Sequence, residues 1–499
     1  MSDQTTILIV MLVYITLLML WGIFQGRKVK NDSDYAIAGR SLPGWVAALS
    51  ERATGESSWA LLGLPGAAYA MGLTEIWTAI GCVAGIVTAW WLLAWRIRDK
   101  AEKVQADTFT SFIARSYPEQ EKWIRIVSSS AIVFFFFFYV GAQFIGGGKT
   151  LNTLFDLNPA TGMLITALVI IPYTIYGGFR SVVYTDVVQA IVMIITLIAG
   201  PIVGILYLTE HPDVYAGSIT QALHMAGPSF TSFTGAASGF SAGVMIMGGF
   251  SWFFGYLGGQ PQLSTRFMAI KNPKQAKRAR NIGILWTLIA YIGALSLGWI
   301  GIAIFGPEGT PNALTDREFV MPMVLLKIFP PAIAAILITG AIAAMISTAD
   351  SLLILSSTEL SENLLKPASK RFAKLGASNN LFISRIITAV LAVIALALAY
   401  YTGNKAFIFT LVSYVWAGIG GTFSVVILFT LFKNNFPGKA VIVTIVYGIL
   451  FTVIWINTGM ESVISSRIMT FVTTFIVAWI ASKFFVDNRK KQNLKNDSE

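Results

Sequence analysis

The chain has 499 residues, 55% of them hydrophobic and only 12% charged, with 36 Lys+Arg against 25 Asp+Glu for a net charge of +11. A soluble domain carries roughly 25% charged residues, so there is too little polar side chain to coat a water-facing globule of this size, and a cytosolic enzyme does not fit. The positive residues sit in short blocks between long apolar runs, the pattern of a polytopic membrane protein rather than of a nucleic-acid-binding surface.

A hydrocarbon core about 30 Å thick takes roughly 20 apolar residues per helix. On that scale the sequence predicts thirteen spans, at about 6–24, 45–71, 74–96, 123–154, 161–179, 183–209, 236–259, 282–306, 326–364, 381–401, 405–432, 439–457 and 464–485. The first run, Ile7 to Phe24, has no positive residue before it and no small-residue cleavage pattern after it, and reads as a retained span rather than a signal peptide. The fourth and ninth are long enough to project beyond the bilayer. No soluble domain fits between the spans, and residues 487–499 read as a short cytoplasmic tail, giving a single transmembrane domain over 1–486.

Charge placement orients these spans. With the N-terminus outside, the loops that become cytoplasmic hold 30 of the 36 Lys and Arg. The outer side receives only Lys149, Arg317, Lys327, Lys405 and Arg467, and Arg52 falls inside a span. Such a bias places the N-terminus outside and the C-terminus in the cytoplasm, and it requires an odd number of spans. The one cysteine, Cys82, precludes an internal disulfide, and the two histidines, His211 and His224, share one predicted loop, so neither thiol-based metal binding nor His-centred catalysis has material to work with.

Three segments do not read as lipid-facing helices. The second span carries Glu51, Arg52 and Glu56 among Ser50, Thr54, Gly55, Ser57 and Ser58. Charges at membrane depth must face protein, one another or a water-filled cavity. Arg52 and Glu56 are four apart and pair if the backbone is helical there; the Thr-Gly and Ser-Ser content points instead to an interrupted helix whose carbonyls line a cavity. The seventh span has a matching interruption, with Gly255, Gly258, Gly259 and Pro261. Two five-span units that each open on a broken helix must be inverted relative to each other, an arrangement that puts a substrate site at the bilayer midplane. Repeat one then covers about 45–209 and repeat two about 236–432, with the first span (6–24) before them and the last two spans (439–485) after. In the ninth span, Ser347, Thr348, Asp350 and Ser351 form an oxygen-rich patch suited to a small hard cation such as sodium, or hydroxyls bonded back to their own helix.

These segments resemble the sodium:solute symporter family, most closely its bacterial sodium/proline symporter branch. The resemblance is carried by Gly63-Leu64-Pro65-Gly66-Ala67, Gly177-Gly178-Phe179 with Thr185-Asp186 and Gln189, Gln260-Pro261 with Arg266-Phe267-Met268-Ala269, Met345 to Thr348, and Leu411 to Tyr414 with Trp416-Ala417-Gly418. It implies an all-α membrane protein of about thirteen helices with a leucine-transporter-like core of five plus five inverted-repeat helices, coupling solute uptake to sodium by alternating access in the bacterial inner membrane. It further implies a sodium site made by the backbone carbonyls of Ala53, Glu56 and Ala344 and the hydroxyls of Ser347 and Thr348. A second ion, by the same resemblance, would be held at Asp186, Asp350 and Ser351. The chain departs from the proline branch in carrying Gly55 where that branch has an aspartate; the nearest carboxylate, Glu56, is shifted by about 100° around a regular helix. Tyr256 and Pro261 are also one residue further apart than in that branch.

For a small zwitterion with an apolar body, aromatic walls with a few amide and hydroxyl groups are suitable. The candidates are Ser57, Ser58 and Trp59, then Tyr139 and Gln143, then Trp252, Tyr256 and Gln260, then Tyr414 and Trp416. The expected partners are a small solute, best matched by an amino acid such as proline, and membrane lipid, with no nucleic acid. Rival readings are a proton-coupled symporter of the same fold using Glu56, or one that carries an organic acid or sugar; more distant ones are a channel and an intramembrane enzyme.

Overall fold

The computed structural model describes residues 3–29, 32–211, 213–368, 377–402 and 407–485. The expected tail, 487–499, and Lys405 lie outside the described residues. The regular structure of the described residues is helical apart from an isolated β-bridge between Leu42 and Ile270. Among the described residues, ten helical stretches are long and apolar enough to cross a membrane, joined by two shorter apolar helices, Pro159–Pro172 and Phe240–Gly255. One of the ten, Gly44–Lys103, is interrupted at Gly72, where φ is +62°. Length and composition alone thus give ten, where the sequence reading expects thirteen.

The helices that build the centre are α1 (Asp3–Gly26), α2 (Gly44–Ser58), α3 (Leu64–Met71), α4 (Glu121–Phe155) and α5 (Pro159–Glu210). They are followed by α6 (Phe240–Phe250), α7 (Trp252–Gly255), α8 (Pro261–Ala269), α9 (Pro273–Phe305), α10 (Pro331–Thr358), α11 (Ala377–Thr402), α12 (Ile408–Val415) and α13 (Ser466–Phe484). The ninth span is displaced from the 326–364 expected: a separate helix ends at Ile328, and α10 begins after Pro330 and continues through a π-helical turn, Glu359–Leu365, to Ala368.

A helix that is apolar all round belongs in a core. Every residue of α10 from Leu337 to Thr358 is buried, and it packs on α1, α2, α4, α5 and α11. By contrast α1 exposes Leu8, Leu12, Leu17 and Leu20, as a lipid-facing helix does. The fifth and sixth spans are one helix broken at Gly178, where φ is +59° and a Cβ would lie 2.4 Å from the Tyr35 ring.

The break expected in the second span is present, and it falls on a residue with a side chain. Ser57 has φ +48° and ψ −165°, between helical segments on either side. The seventh span breaks between α7 and α8, where Gly258 takes φ +82° and Pro261 opens the next helix at a position that needs no N–H donor. On the predicted cytoplasmic side the segments flanking the two broken helices are tied together: Leu42 N donates to Ala269 O at 3.1 Å, and Lys271 N to Leu42 O at 3.0 Å.

Candidate functional site

Breaking a helix in a dry interior frees backbone groups that must find other partners. At Ser57 they find side chains. The Ser58 N–H donates to Gln143 Oε1 at 3.1 Å, the Gly55 carbonyl accepts from Trp59 Nε1 at 3.1 Å, and the Thr54 carbonyl accepts from Thr348 Oγ1 at 3.0 Å. Tyr139 donates to Ser57 Oγ at 3.2 Å. The interruption is thereby connected to α4 on one side and to α10 on the other.

Below Thr54 lies a buried oxygen cluster. Ser347 Oγ donates to Asp186 Oδ1 at 2.6 Å, and Ser50 Oγ to Asp186 Oδ2 at 2.5 Å. Thr54 Oγ1 is 3.3 Å from Asp186 Oδ2, 3.3 Å from Ser347 Oγ and 3.2 Å from Ser351 Oγ. Arg266 closes the group, 2.9 Å from Asp186 and 2.6 Å from Ser351 Oγ. Three helices, α2, α5 and α10, thus present hydroxyl, carbonyl and carboxylate oxygens to one another with no soft ligand among them, the donor set of a hard monovalent cation. Asp350 is fully buried beside Ser351.

Glu51, Arg52 and Glu56 turn away from this cluster and pair with one another. Arg52 Nε is 2.5 Å from Glu51 Oε2, its second contact is with Glu51 Oε1, and its Nη1 is 3.0 Å from Glu56 Oε1 and 3.3 Å from Thr287 Oγ1. Trp90 Nε1 adds a 3.0 Å bond to Glu51 Oε2. The pairing of residues 52 and 56 and the interruption were alternatives on sequence grounds; both occur, because the break comes one residue after Glu56.

The aromatic candidates converge. Trp59 stacks on Trp252 with centroids 4.4 Å apart, and Trp416 lies 5.7 Å from Trp252, 5.8 Å from Tyr139 and 5.3 Å from Tyr256. All five rings are at most 3% exposed. Ser57, Ser58, Gln143 and Gln260 are equally buried, and Gln260 Nε2 and both Trp252 and Trp416 Nε1 have no hydrogen-bond partner. Tyr414 differs: it is half-buried near Glu461 and Arg467, and among the described residues it makes no ring contact with the cluster.

Of the cation candidates, Ser347, Thr348, Asp186 and Ser351 are brought together around Thr54; Ala53, Glu56 and Ala344 are fully buried on the same helices, and the Glu56 carbonyl accepts from the Trp59 N–H. Sequence reasoning missed Thr54, Ser50 and Arg266 in the oxygen cluster, and Tyr291 and Phe409 in the aromatic one, 6.0 and 6.4 Å from Trp59. The charge pattern counts Arg266 among the basic residues of a cytoplasmic loop, whereas it is 1% exposed. Its place in the Gln260–Ala269 motif was the available signal.

The model of the sodium:solute symporter family matches residues 35–448. The chain is 33% identical to the high-affinity proline transporter PutP of Bacillus subtilis over 93% of this chain and 95% of that one. It is 32% identical to the sodium/proline symporter of Escherichia coli over 92% and 89%. Among solved structures, a Na+-coupled sialic acid symporter in a substrate-bound, outward-open state superposes with a TM-score of 0.78 at 17% identity, covering 97% of this chain and 98% of that one. That likeness fixes the fold as the leucine-transporter type. The broken helices, the oxygen cluster beside them and the match along most of the sequence lead to one conclusion: the chain belongs to the sodium:solute symporter family, multi-pass plasma-membrane transporters, not enzymes, that couple uptake of a small solute to sodium.

Proposed function

We propose that this symporter carries L-proline or a closely similar small zwitterion, held among Trp59, Tyr139, Gln143, Trp252, Tyr256, Gln260 and Trp416 next to the break at Ser57. One sodium ion is taken by the hydroxyls of Ser347 and Thr348 with the carbonyls of Ala53, Glu56 and Ala344. The observation that carries this reading is the contact of Thr348 Oγ1 with the Thr54 carbonyl, which sets a hydroxyl of α10 against backbone freed by the break. The proline transporters to which the chain is 32–33% identical support the solute class. The proposed topology has the N-terminus outside and the C-terminus in the cytoplasm, with repeats at about 45–209 and 236–432 in one domain.

In the proposed cycle, sodium binding ties α2 to α10 and completes the solute site, so that ion and solute favour each other's binding. Closure then opens the site to the cytoplasm, where low sodium empties it. One charge crossing 100 mV supplies about 2.3 kcal/mol, and a tenfold sodium gradient adds about 1.4 kcal/mol, enough for a solute ratio of several hundred-fold. A second ion at Asp186, Asp350 and Ser351 has to compete with Arg266, which already faces Asp186 and Ser351.

The test is uptake of labelled L-proline into proteoliposomes under an inward sodium gradient, with unlabelled amino acids, organic acids and sugars as competitors. Saturable accumulation that needs external sodium and is blocked best by proline supports the reading. Accumulation without sodium that follows a proton gradient at two pH values would favour coupling through Glu56 instead.

A further inference from the structure

Glu359, where α10 passes into its π-helical turn, is an acid that neither the sodium site nor the solute pocket uses. It is fully buried, and its carboxylate accepts only from neutral donors: Ser129 Oγ at 2.6 Å, Asn363 Nδ2 at 2.7 Å and the Thr110 N–H at 3.3 Å. Asp186, Glu51 and Glu56 each face an arginine, whereas Glu359 makes no salt bridge among the described residues. The Thr110 hydroxyl is equally buried, and among the described residues it has no hydrogen-bond partner. An acid kept without a counter-charge inside a membrane-spanning segment is costly and marks an ion pathway by default. The π-helical distortion that starts at Glu359 is likewise a feature frequent at functional sites.

The position of Glu359 continues the oxygen cluster toward the predicted cytoplasmic side. Ser351, Leu355 and Glu359 follow one another at four-residue steps on one face of α10, and eight residues of helix cover about 12 Å. Along this face lies a cavity of about 10 Å³, the space of one water, lined in part by Thr108, Phe179, Thr265, Leu355, Thr358 and Glu359. Thr265 precedes Arg266 in α8, and the Arg266 guanidinium lies 5.3 Å from the centroid of the Phe179 ring. The wall that holds Arg266 against Asp186 is therefore also a wall of this cavity. At the other end Asp107 and Thr108 are shared with a cavity of about 570 Å³. The bases around the larger cavity, Arg115, Lys122 and Arg125, are matched by Asp107, Glu121 and Glu362, so it does not repel a cation.

We propose that Glu359 is a sodium-binding stop on the inner side: an ion leaving the oxygen cluster passes along α10 and is held by the Glu359 carboxylate and the hydroxyls of Ser129 and Thr110 before it reaches the larger cavity. The inference rests on the sodium site proposed at Ser347 and Thr348 and extends it. A carboxylate with two hydroxyls is a hard oxygen set that suits sodium, and it replaces part of the stabilisation the ion gives up on leaving. The consequence is sided. Sodium in the cytoplasm meets Glu359 before it meets Thr54, whereas external sodium reaches Ser347 and Thr348 without passing it. Glu359 therefore sets the affinity for internal sodium and not that for external sodium.

The experiment measures uptake of labelled L-proline, and exchange of labelled sodium alone, in right-side-out membrane vesicles that hold the full chain, with internal and external sodium varied independently. Internal sodium should inhibit proline uptake by the wild type. Glu359→Gln keeps an oxygen for the Thr110 N–H but loses the charge; it should raise the half-inhibitory internal sodium about tenfold, equivalent to about 1.4 kcal/mol, and leave the external sodium for half-maximal uptake unchanged. Glu359→Asp, which keeps the charge, should stay near the wild type. Thr110→Val removes a hydroxyl that bonds nothing in the resting protein, so it tests the site without disturbing the fold, and it should shift the internal response in the same direction. An unchanged internal response in Glu359→Gln or in Thr110→Val overturns the proposal, as does an equal shift on both sides, which would give Glu359 a purely structural part. If the wild type takes up no proline, the solute reading fails, and the internal dependence of sodium exchange decides the role of Glu359 by the same comparison.

Discussion

Thr348 and Thr54 meet across 294 positions of sequence, the hydroxyl of the first donating to the backbone carbonyl of the second at 3.0 Å. In a regular helix that carbonyl would be used by an N–H four residues on. The break at Ser57 reassigns it, and α10 supplies the substitute. The same contact therefore caps a broken helix and brings together two oxygens at the proposed sodium site.

Replacing Thr348 by alanine removes one oxygen and leaves the Thr54 carbonyl without its donor. A buried hydrogen bond lost in this way costs about 1–3 kcal/mol, which corresponds to a rise of roughly 5- to 150-fold in the sodium concentration for half-maximal uptake. The solute KM at saturating sodium should change little, and Thr348→Ser should restore most of the loss. Sodium titrations of proline uptake by the three proteins are the measurement; an unchanged sodium dependence in Thr348→Ala would place the ion elsewhere.

Ser57 holds φ +48°, a conformation that costs a β-branched side chain most and glycine nothing. Ser57→Gly keeps the break but loses the hydroxyl that accepts from Tyr139 at 3.2 Å. Uptake should persist with a solute KM raised several-fold. Ser57→Val must straighten the helix or leave it strained, and transport should fall to background while the protein still reaches the membrane. Equal activity in the two variants would mean that the backbone at this position does not matter to transport.

The sequence disclosed the break in the second span through an excess of polar residues where lipid demands apolar ones, and the break in the seventh through glycine and proline. It disclosed Ser347 and Thr348 because hydroxyls inside an otherwise apolar run are conspicuous. It could not disclose Thr54 or Ser50 as partners of Asp186, since that grouping depends on how three helices are juxtaposed and not on any local pattern. Arg266 misled for a related reason: charge counting treats every arginine near a loop as solvated, whereas this one is carried inward by α8 to face Asp186. The Arg52–Glu56 pair was legible from its four-residue spacing, whereas the bonds of Glu51 to Arg52 and Trp90 were not, because they depend on side-chain direction and on a neighbouring helix.

Asp186 and Arg266 compensate each other in full burial. Asp186→Asn leaves the arginine uncompensated, and breaking a buried pair by removing one partner costs about 3–5 kcal/mol, so the yield of folded protein should drop sharply. Adding Arg266→Gln should recover it. If the arginine rather than a second sodium balances Asp186, the recovered protein and the wild type should both move one sodium per solute, as read from parallel labelled sodium and proline fluxes. A wild-type ratio of two would show that an ion displaces Arg266 during transport.

The charges on α2 make a separate claim, about stability rather than coupling. Arg52 is held by both carboxylates, and Glu51 also accepts from Trp90. Arg52→Gln strands two acids in the membrane interior, where an unpaired charge costs several kcal/mol, and the variant should melt well below the wild type or fail to accumulate. Neutralising the whole group with Glu51→Gln, Arg52→Gln and Glu56→Gln removes the buried charge altogether, and replacing a complete buried ion group is often neutral or better. The triple variant should therefore melt near the wild type and keep its sodium-driven uptake, because none of the three side chains reaches Asp186, Ser347 or Thr348 in the contacts that build the oxygen cluster. Thermal melts in detergent paired with uptake at fixed sodium separate the outcomes. A triple variant that is stable but no longer driven by sodium would assign the group to coupling, with Glu56 as the residue to pursue.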